Sequence, residues 1–425
     1  MELKRTLNLF DATSIGIGAI IGAGIFVVLG IATGYAGPSV IISMIIAGTV
    51  ASFTAFSFAE LGSAIPREGG AYAYAYELIS PVAAFVVGCL WLLAQIVAGA
   101  AISLGFASYF VTMFPILPVK TIAVLAAAAL TGLNIVGIKQ SATVNNILVV
   151  TKIAILCLFV GFGMSHINYQ NFSSFSPNGI FGIFEGAGFI FFAYLGFGRI
   201  ATLGEEVKNP QRTLPLSILL SLTISVIVYI LTGFVATGLQ DYRILAQSGS
   251  PLADAAKATG NNALVAAVSL GALIATVSVL LTNLIGLSRV SFAMARDGQL
   301  PKTAAKISSR FGTPYTSILI MGAVIASLAF LLDLKQTVAI TSFGILSTHM
   351  VVNLSAIRLR KKMPRSNTFR VPFYPIIPLL GVLSCIILMF SLPEESWIVA
   401  AVIVAFSAGF YFVRSKWRLK RRLKR

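Results

Sequence analysis

The chain has 425 residues, 57% of them hydrophobic and only 11% charged, with a formal net charge of +17. A water-soluble chain of this length carries about a quarter charged residues, so the composition excludes a soluble enzyme or binding module. The basic excess would suit a nucleic acid, but its distribution along the chain argues against that partner.

Apolar runs of 18 or more residues recur from end to end, each long enough to cross a bilayer core of about 30 Å. In chain order the predicted spans lie at about 13–33, 39–62, 81–110, 119–137 and 143–163, then at about 180–203, 214–237 and 263–288. The last four lie near 315–332, 336–357, 375–391 and 396–413. The predicted fold class is an all-α membrane protein with 12 transmembrane helices, in one transmembrane domain over residues 1–425. The longest loops, 238–262 and 289–314, have room for a short helix or two and no soluble domain. Span 1 is longer than a signal-peptide core and lacks a small-residue cleavage site, so it reads as an uncleaved insertion signal.

Lys152 and Arg199 fall inside spans; the remaining Lys and Arg sort by loop parity, 25 on the side holding both termini and four (Lys120, Arg243, Lys257, Lys335) on the other. By the positive-inside rule both termini are cytoplasmic, and the expected location is the plasma membrane. The tail 414–425, "RSKWRLKRRLKR", reads as an anchor at an anionic lipid surface. Cys89, Cys157 and Cys385 all lie within spans, giving neither a disulfide framework nor metal-ligand spacing. No cofactor and no metal are expected.

Two spans are interrupted by glycine. Span 1 carries "GIGAIIGAGIF" with Gly16, Gly18, Gly22 and Gly24, and span 6 carries "GAGFIFFAYLGFGRIATLGEE" with Gly186, Gly188, Gly196 and Gly198. These spans correspond if spans 1–5 (about 13–163) and 6–10 (about 180–357) form two repeats, with spans 11–12 (about 375–413) added. Five is odd, so the repeats must insert with opposite topology, and paired Gly-rich segments then point to a transporter's binding site. Where a helix unwinds in the membrane its freed N–H and C=O groups must face protein or a cavity. The N–H groups at a half-helix N-terminus attract a carboxylate, and freed carbonyls accept from an ammonium. A zwitterionic amino acid supplies both. Close packing through small-xxx-small motifs is the competing reading; it fits Gly16 and Gly18 but not the matching cluster in span 6. A dinucleotide fingerprint is excluded, because no acid occurs between Asp11 and Glu60.

Five motifs in this order resemble the amino acid–polyamine–organocation (APC) superfamily of secondary transporters. They are "GIGAIIGAGIFV" at 16–27, "AELGSAIPREGGAYAYAY" at 59–76, "FFAYLGFGRIATLGEEVKNPQRTLP" at 191–215, "MARDGQLPK" at 294–302 and "FRVPFYPIIP" at 369–378. Within it the chain is most similar to bacterial and archaeal amino acid permeases of the cationic amino acid transporter type. The resemblance implies a 5+5 inverted-repeat fold with helices 1 and 6 unwound at mid-membrane. It implies a substrate carboxylate on the N–H groups of Gly22, Ala23 and Gly24, and an amino group on the carbonyls of Ile20, Phe192, Ala193 and Leu195. Phe192 matches an aromatic lid over the substrate.

Lys152 sits about 13 Å into span 5, where a lysine is costly and marks a functional site by default; a snorkelling side chain is the alternative. In the family, proton-coupled members carry a lysine here where sodium-coupled relatives bind sodium. That makes Lys152 a cation surrogate and candidate proton carrier near Gly18. The paired hydroxyls of sodium-binding relatives are here Val277 and Ser278, so one hydroxyl is missing.

Arg199 departs from the family, which often has an acid at Gly198. An arginine keeps its charge, so it must face a carboxylate or water; Glu60, Glu205 or Glu206 are candidate partners in a cytoplasmic gate, with a direct role toward acidic substrates as the alternative. Ala94, beside Gln95, stands where relatives preferring cationic substrates have an acid, which favours neutral substrates. Glu60 reads as a gate residue or a proton carrier, His349 as a structural residue or a titrating one, and "YAYAY" at 72–76 as an interfacial segment with aromatic anchors.

The predicted function is proton-coupled uptake of neutral or broad-range L-amino acids by alternating access, with an exchanger of the same fold as the alternative and a non-transporting sensor as a third reading. The expected partners are the amino acid, protons and the lipid bilayer. No nucleophile–base pair within the spans suggests an enzyme.

Overall fold

The computed structural model describes residues 6–66, 69–137, 142–203, 206–308, 313–363 and 368–422. Among these every regular element is helical, and the one strand-like pairing is a parallel bridge between Leu7 and Val207. Nine helical segments are long and apolar enough to cross a membrane, and Tyr315–Leu331 and Ile376–Phe390 are apolar but shorter. One of the nine, Leu9–Ala64, has 56 residues, far beyond the ~20 needed for one crossing.

That long segment is three helices. Helix α1 (Leu9–Ile20) starts in a capping box, in which Asn8 accepts from Asp11 N–H and the Asp11 carboxylate accepts from Asn8 N–H. It stops at Ile21, whose backbone is extended, and the chain resumes in a π-helical turn at Gly24–Val28. Helix α2 (Leu29–Ala36) follows, and a tight turn at Gly37–Ser39 leads into α3 (Val40–Ala64). A short α4 (Ala71–Leu78) precedes α5 (Pro81–Met113), which has Pro81 at its first position and Ser80 as cap. Next come α6 (Val119–Val136), α7 (Ala142–Met164) and α8 (Gly179–Ile190). The sixth apolar segment then tightens into 3-10 turns at Phe191–Tyr194 and Phe197–Leu203.

Helix α9 (Pro210–Leu239) is followed by two short helices, α10 (Tyr242–Gln247) and α11 (Pro251–Lys257), within the predicted loop. Helix α12 (Asn262–Arg296) runs about two turns past its predicted end. Helices α13 (Tyr315–Leu331), α14 (Leu334–Lys362), α15 (Ile376–Phe390) and α16 (Glu394–Arg422) complete the chain. The helix thus continues through most of the basic segment that the sequence reading treats as a tail.

The packing has a regular pattern. Helix α3 lies on α9, α5 on α12, and α6 on α13. The pair α1–α9 has a counterpart in α8–α3, α5–α14 in α12–α7, and α4–α5 in α11–α12. Each partnership reappears when an element is replaced by the one five apolar segments away.

Polar side chains in the core are mostly satisfied within their own helix. Thr131, Ser225 and Ser291, for example, donate to the carbonyl four residues earlier. The outer faces of α6, α7, α13 and α16 expose Leu125, Ile147, Ile320 and Phe406 to between 54 and 73%, a surface that suits hydrocarbon rather than water.

One sequence expectation is corrected. The "YAYAY" segment is not an interfacial aromatic anchor: Tyr72 and Tyr74 are buried and only Tyr76 is exposed. The Tyr72 hydroxyl donates to Asp297 at the end of α12, 2.8 Å away, so the 2–3 connection folds inward. Burial and that carboxylate together raise the phenol pKa well above its ordinary value.

The two broken segments cross with almost no space between them. A Cβ on Gly196 would collide with the backbone of Ala19 and Ile20, and one on Gly24 with the backbone of Ala193. Backbone cannot yield as a side-chain tip can, so overpacking here costs about 1–3 kcal/mol or more. Gly196→Val is therefore expected to lower the thermal unfolding midpoint in detergent by several degrees, whereas Gly161→Val, at a position with open space around it, leaves it nearly unchanged. Equal midpoints for the two variants would refute the close crossing.

Candidate functional site: a cavity between two broken helices

Ending α1 at Ile20 leaves its last carbonyls without intrahelical partners. The structure supplies replacements from other helices. Ile21 N–H still donates to Ile17, but the carbonyls of Gly18 and Ile21 both accept from the Lys152 ammonium of α7, each at 3.2 Å. Lys152 is 1% exposed, so its side chain is committed inward and does not snorkel. The Ile20 carbonyl accepts from the Tyr229 hydroxyl of α9 at 2.8 Å, and the same hydroxyl lies 3.2 Å from the Ala193 carbonyl in the second break. One phenol thus joins both breaks.

Beyond the break, the N–H groups that open a new helical turn at Gly22, Ala23 and Gly24 have no preceding carbonyls in register. These residues line a small cavity together with Ile20, Phe192 and Leu195, and Gln95, Val279 and Arg199 contribute to its polar and apolar walls. Six of the seven residues predicted to hold substrate therefore face one space. The seventh, Ala193, lies behind it against Gly24, with its carbonyl turned to Tyr229. Ser278 keeps its hydroxyl on its own helix, donating to Ala275 at 3.0 Å.

Of the carboxylates expected for Arg199, two are held by other arginines. Glu60 is held by Arg360 of α14 through two contacts of 2.8 and 3.1 Å, and also accepts from Val371 N–H at 2.8 Å. Glu206 pairs with Arg289 at 3.1 Å, and Glu205 lies outside the described residues. The Arg199 guanidinium donates to Thr282 (3.1 Å) and Asn283 (3.0 Å) of α12 and to Gln95 (3.1 Å) of α5. Asn283 in turn donates to the Gln95 carbonyl at 2.8 Å. This network joins the second break to α5 and α12.

A second cavity lies on the side of the first that holds Leu7, bounded by Gly69–Ala71, Phe58, Trp91, Thr348 and His349. Gln95, Leu195 and Arg199 line both spaces. His349 is 4% exposed among the rings of Phe58, Phe191 and Phe197, at centroid distances of 5.3 to 5.7 Å, and its Nδ1 has no hydrogen-bond partner.

Tyr229, Gln95 and Asn283 are residues that motif reading missed. Tyr229 carries a weak signal, a lone phenol deep in an otherwise apolar span, where its hydroxyl must find a partner. Gln95 and Asn283 likewise announce themselves only as amides within hydrocarbon-length runs.

The sequence profile of the amino acid permease family matches residues 11–408. The chain belongs to the amino acid permease family. It is 36% identical to the methylthioribose transporter of Bacillus subtilis and 33% identical to that organism's branched-chain amino acid permease BcaP, each over 98% of this chain and 94% of the relative. It is 32% identical to the vacuolar cationic amino acid transporter 2 of Arabidopsis thaliana, over 85% of this chain and 61% of the relative. As a permease-family member with many apolar helices, it is a multi-pass membrane transport protein of the APC superfamily and not an enzyme.

The phenol that joins the breaks gives a direct test. Tyr229→Phe keeps the ring and removes the hydroxyl, leaving the buried Ile20 and Ala193 carbonyls without that donor. A loss of about 1–3 kcal/mol in stability is expected, read as a lower unfolding midpoint in detergent; an unchanged midpoint would show that the hydroxyl does not join the breaks.

Proposed function

We propose that this permease is a secondary active, proton-coupled transporter of neutral or broad-range L-amino acids that works by alternating access. It lies in the plasma membrane with both termini cytoplasmic, crossing twelve times in a 5+5 inverted repeat, with helices 1 and 6 unwound at substrate depth. The packing pattern supports that repeat, since exchanging a span with the one five away maps the helix pairs named above onto one another.

The observation that carries the functional reading is the cavity at the crossing of the two breaks. It faces the N–H groups of Gly22, Ala23 and Gly24, suited to a carboxylate, and is roofed by Phe192 as a gate. The carbonyls of Phe192 and Leu195 are candidate acceptors for the substrate ammonium. Those of Ile20 and Ala193 join them when Tyr229 moves. Arg199 supports neutral over cationic side chains, because a guanidinium offers only donors and so suits an oxygen-bearing or apolar neighbour better than a second cation. Glu60, clamped to Arg360 and Val371 at the Leu7 end, acts as part of the inner gate.

Lys152 supports proton coupling. Its ammonium holds the carbonyls of Gly18 and Ile21, so charge loss would release the end of α1. Ser278, turned to its own helix, fits a site that needs no sodium. Binding does the work throughout: the substrate shifts the balance of states by its differential affinity for them.

The test is purified protein in liposomes with a panel of labelled L-amino acids, plus methylthioribose because of the relative with that name. Uptake of neutral amino acids is expected to rise severalfold with an inward proton gradient and to persist when sodium is replaced by choline. Lys152→Ala should abolish the stimulation by the gradient. A strict sodium requirement, or pH stimulation retained in Lys152→Ala, would refute the coupling assignment. Counterflow without net uptake would establish exchange instead.

A further inference from the structure

We propose that the turn between α14 and α15 docks on anionic lipid in the leaflet at the Leu7 face, with the Phe373 ring among the acyl chains and the cations around it at the phosphates, and that this contact steadies the Glu60–Arg360 clamp. The inference goes beyond the transport reading and does not depend on which solute is carried.

Phe373 is the residue that calls for a partner. Its φ is +46°, a region that bulky side chains rarely occupy, and its ring is 79% exposed. The residues beside it explain how it is held there. Val371 is buried, its N–H donating to Glu60 and its carbonyl accepting from Arg360, each at 2.8 Å. The Tyr374 ring lies 4.0 Å from the same guanidinium, and its hydroxyl donates to the Ile357 carbonyl at 2.9 Å. With Val371 and Tyr374 both fastened inward, the turn closes through Ile376 N–H on the Phe373 carbonyl and the ring points out. Exposure to water would add a second cost to that of the backbone; burial among acyl chains removes it.

The outer surface of α15 leads to this ring. Ile376, Leu380, Leu383 and Ile387 are 40 to 58% exposed at helical spacing, which makes one apolar stripe, and Phe373 stands just before its start. Helix α15 has 15 residues, about 22 Å of helix, short of a hydrocarbon core of about 30 Å. A short span draws the headgroups inward, toward the turn and its cations. Residues 358–370 contain six Lys and Arg, and no acid occurs between Asp333 and Glu394. Arg358, Lys361 and Arg370 are exposed, so the surface at headgroup depth is positive and anionic phosphate is its complement.

The test melts purified protein in detergent alone and with phosphatidylglycerol, phosphatidylcholine or soluble glycerol phosphate. Wild type is expected to rise several degrees with phosphatidylglycerol and much less with the other two. Phe373→Ser, and separately Arg358→Gln combined with Lys361→Gln, should lose at least half of that rise. Phe390→Ser, which removes an exposed ring at the other end of α15, should keep it. The clamp is read by hydrogen–deuterium exchange at the Val371 amide, which phosphatidylglycerol should slow about threefold or more in wild type and not in Phe373→Ser. If Phe373→Ser does not fold, the charge variant decides both readings. No rise in wild type, an equal rise with phosphatidylcholine or glycerol phosphate, a rise kept in either folded variant, or one lost equally in Phe390→Ser would overturn the docking surface. Unchanged exchange at Val371 would overturn its link to the clamp.

Discussion

A chain in hydrocarbon must satisfy its own backbone, because no water is present to do so. Everything unusual in this permease follows from breaking two helices under that constraint. At the end of α1 the debt is met by a lysine from α7 and a tyrosine from α9, which together hold the Gly18, Ile20 and Ile21 carbonyls. The amide side of the break is left facing a cavity. The asymmetry matters: carbonyls are bound by the protein itself, while Gly22, Ala23 and Gly24 line the cavity.

The same constraint explains why the breaks lie against each other. Gly24 meets Ala193 and Gly196 meets Ala19 at backbone distance, so the two irregular segments shield one another from lipid. Around them the regular helices pack in corresponding pairs. Small α4 and α11 take part in that correspondence at opposite ends of the bundle. Tyr72 of α4 is fastened to Asp297 at the end of α12, and the N–H of Leu252 in α11 donates to Tyr109 of α5. Each end is thus tied by a phenol between the small helix of one half and a long helix of the other.

How much of this was legible in the sequence depends on the range of the interaction. Hydrophobic runs report burial in lipid directly, so the apolar segments and their approximate ends could be read, and glycine density marked where two of them are interrupted. Lys152 stood out because charge at that depth is rare. Pairings between distant segments were not legible in local pattern; those of Lys152 with Gly18 and of span 1 with span 6 came only through the family resemblance. Glu60 and Arg360 are 300 positions apart, and no local pattern joins them. Two of the expected Arg199 partners were misjudged for the same reason: Glu60 and Glu206 are held by Arg360 and Arg289, and the fold presents the amides of α5 and α12 to Arg199. The buried tyrosines of "YAYAY" were misjudged because an alternating apolar–aromatic segment looks alike at a membrane interface and folded inward under a bundle.

Tyr229 has a single proton and two acceptors, Ile20 at 2.8 Å and Ala193 at 3.2 Å. A rigid staple would resist any sliding of one half-helix past the other until it snapped. A hydroxyl shared in this way has slack. As the halves shift, its proton can pass wholly to one carbonyl or the other by a small rotation about the C–O bond, with little change in the number of hydrogen bonds. The joint therefore behaves less like a lock than like a bearing: it keeps the two breaks aligned while adding little to the barrier against their relative motion.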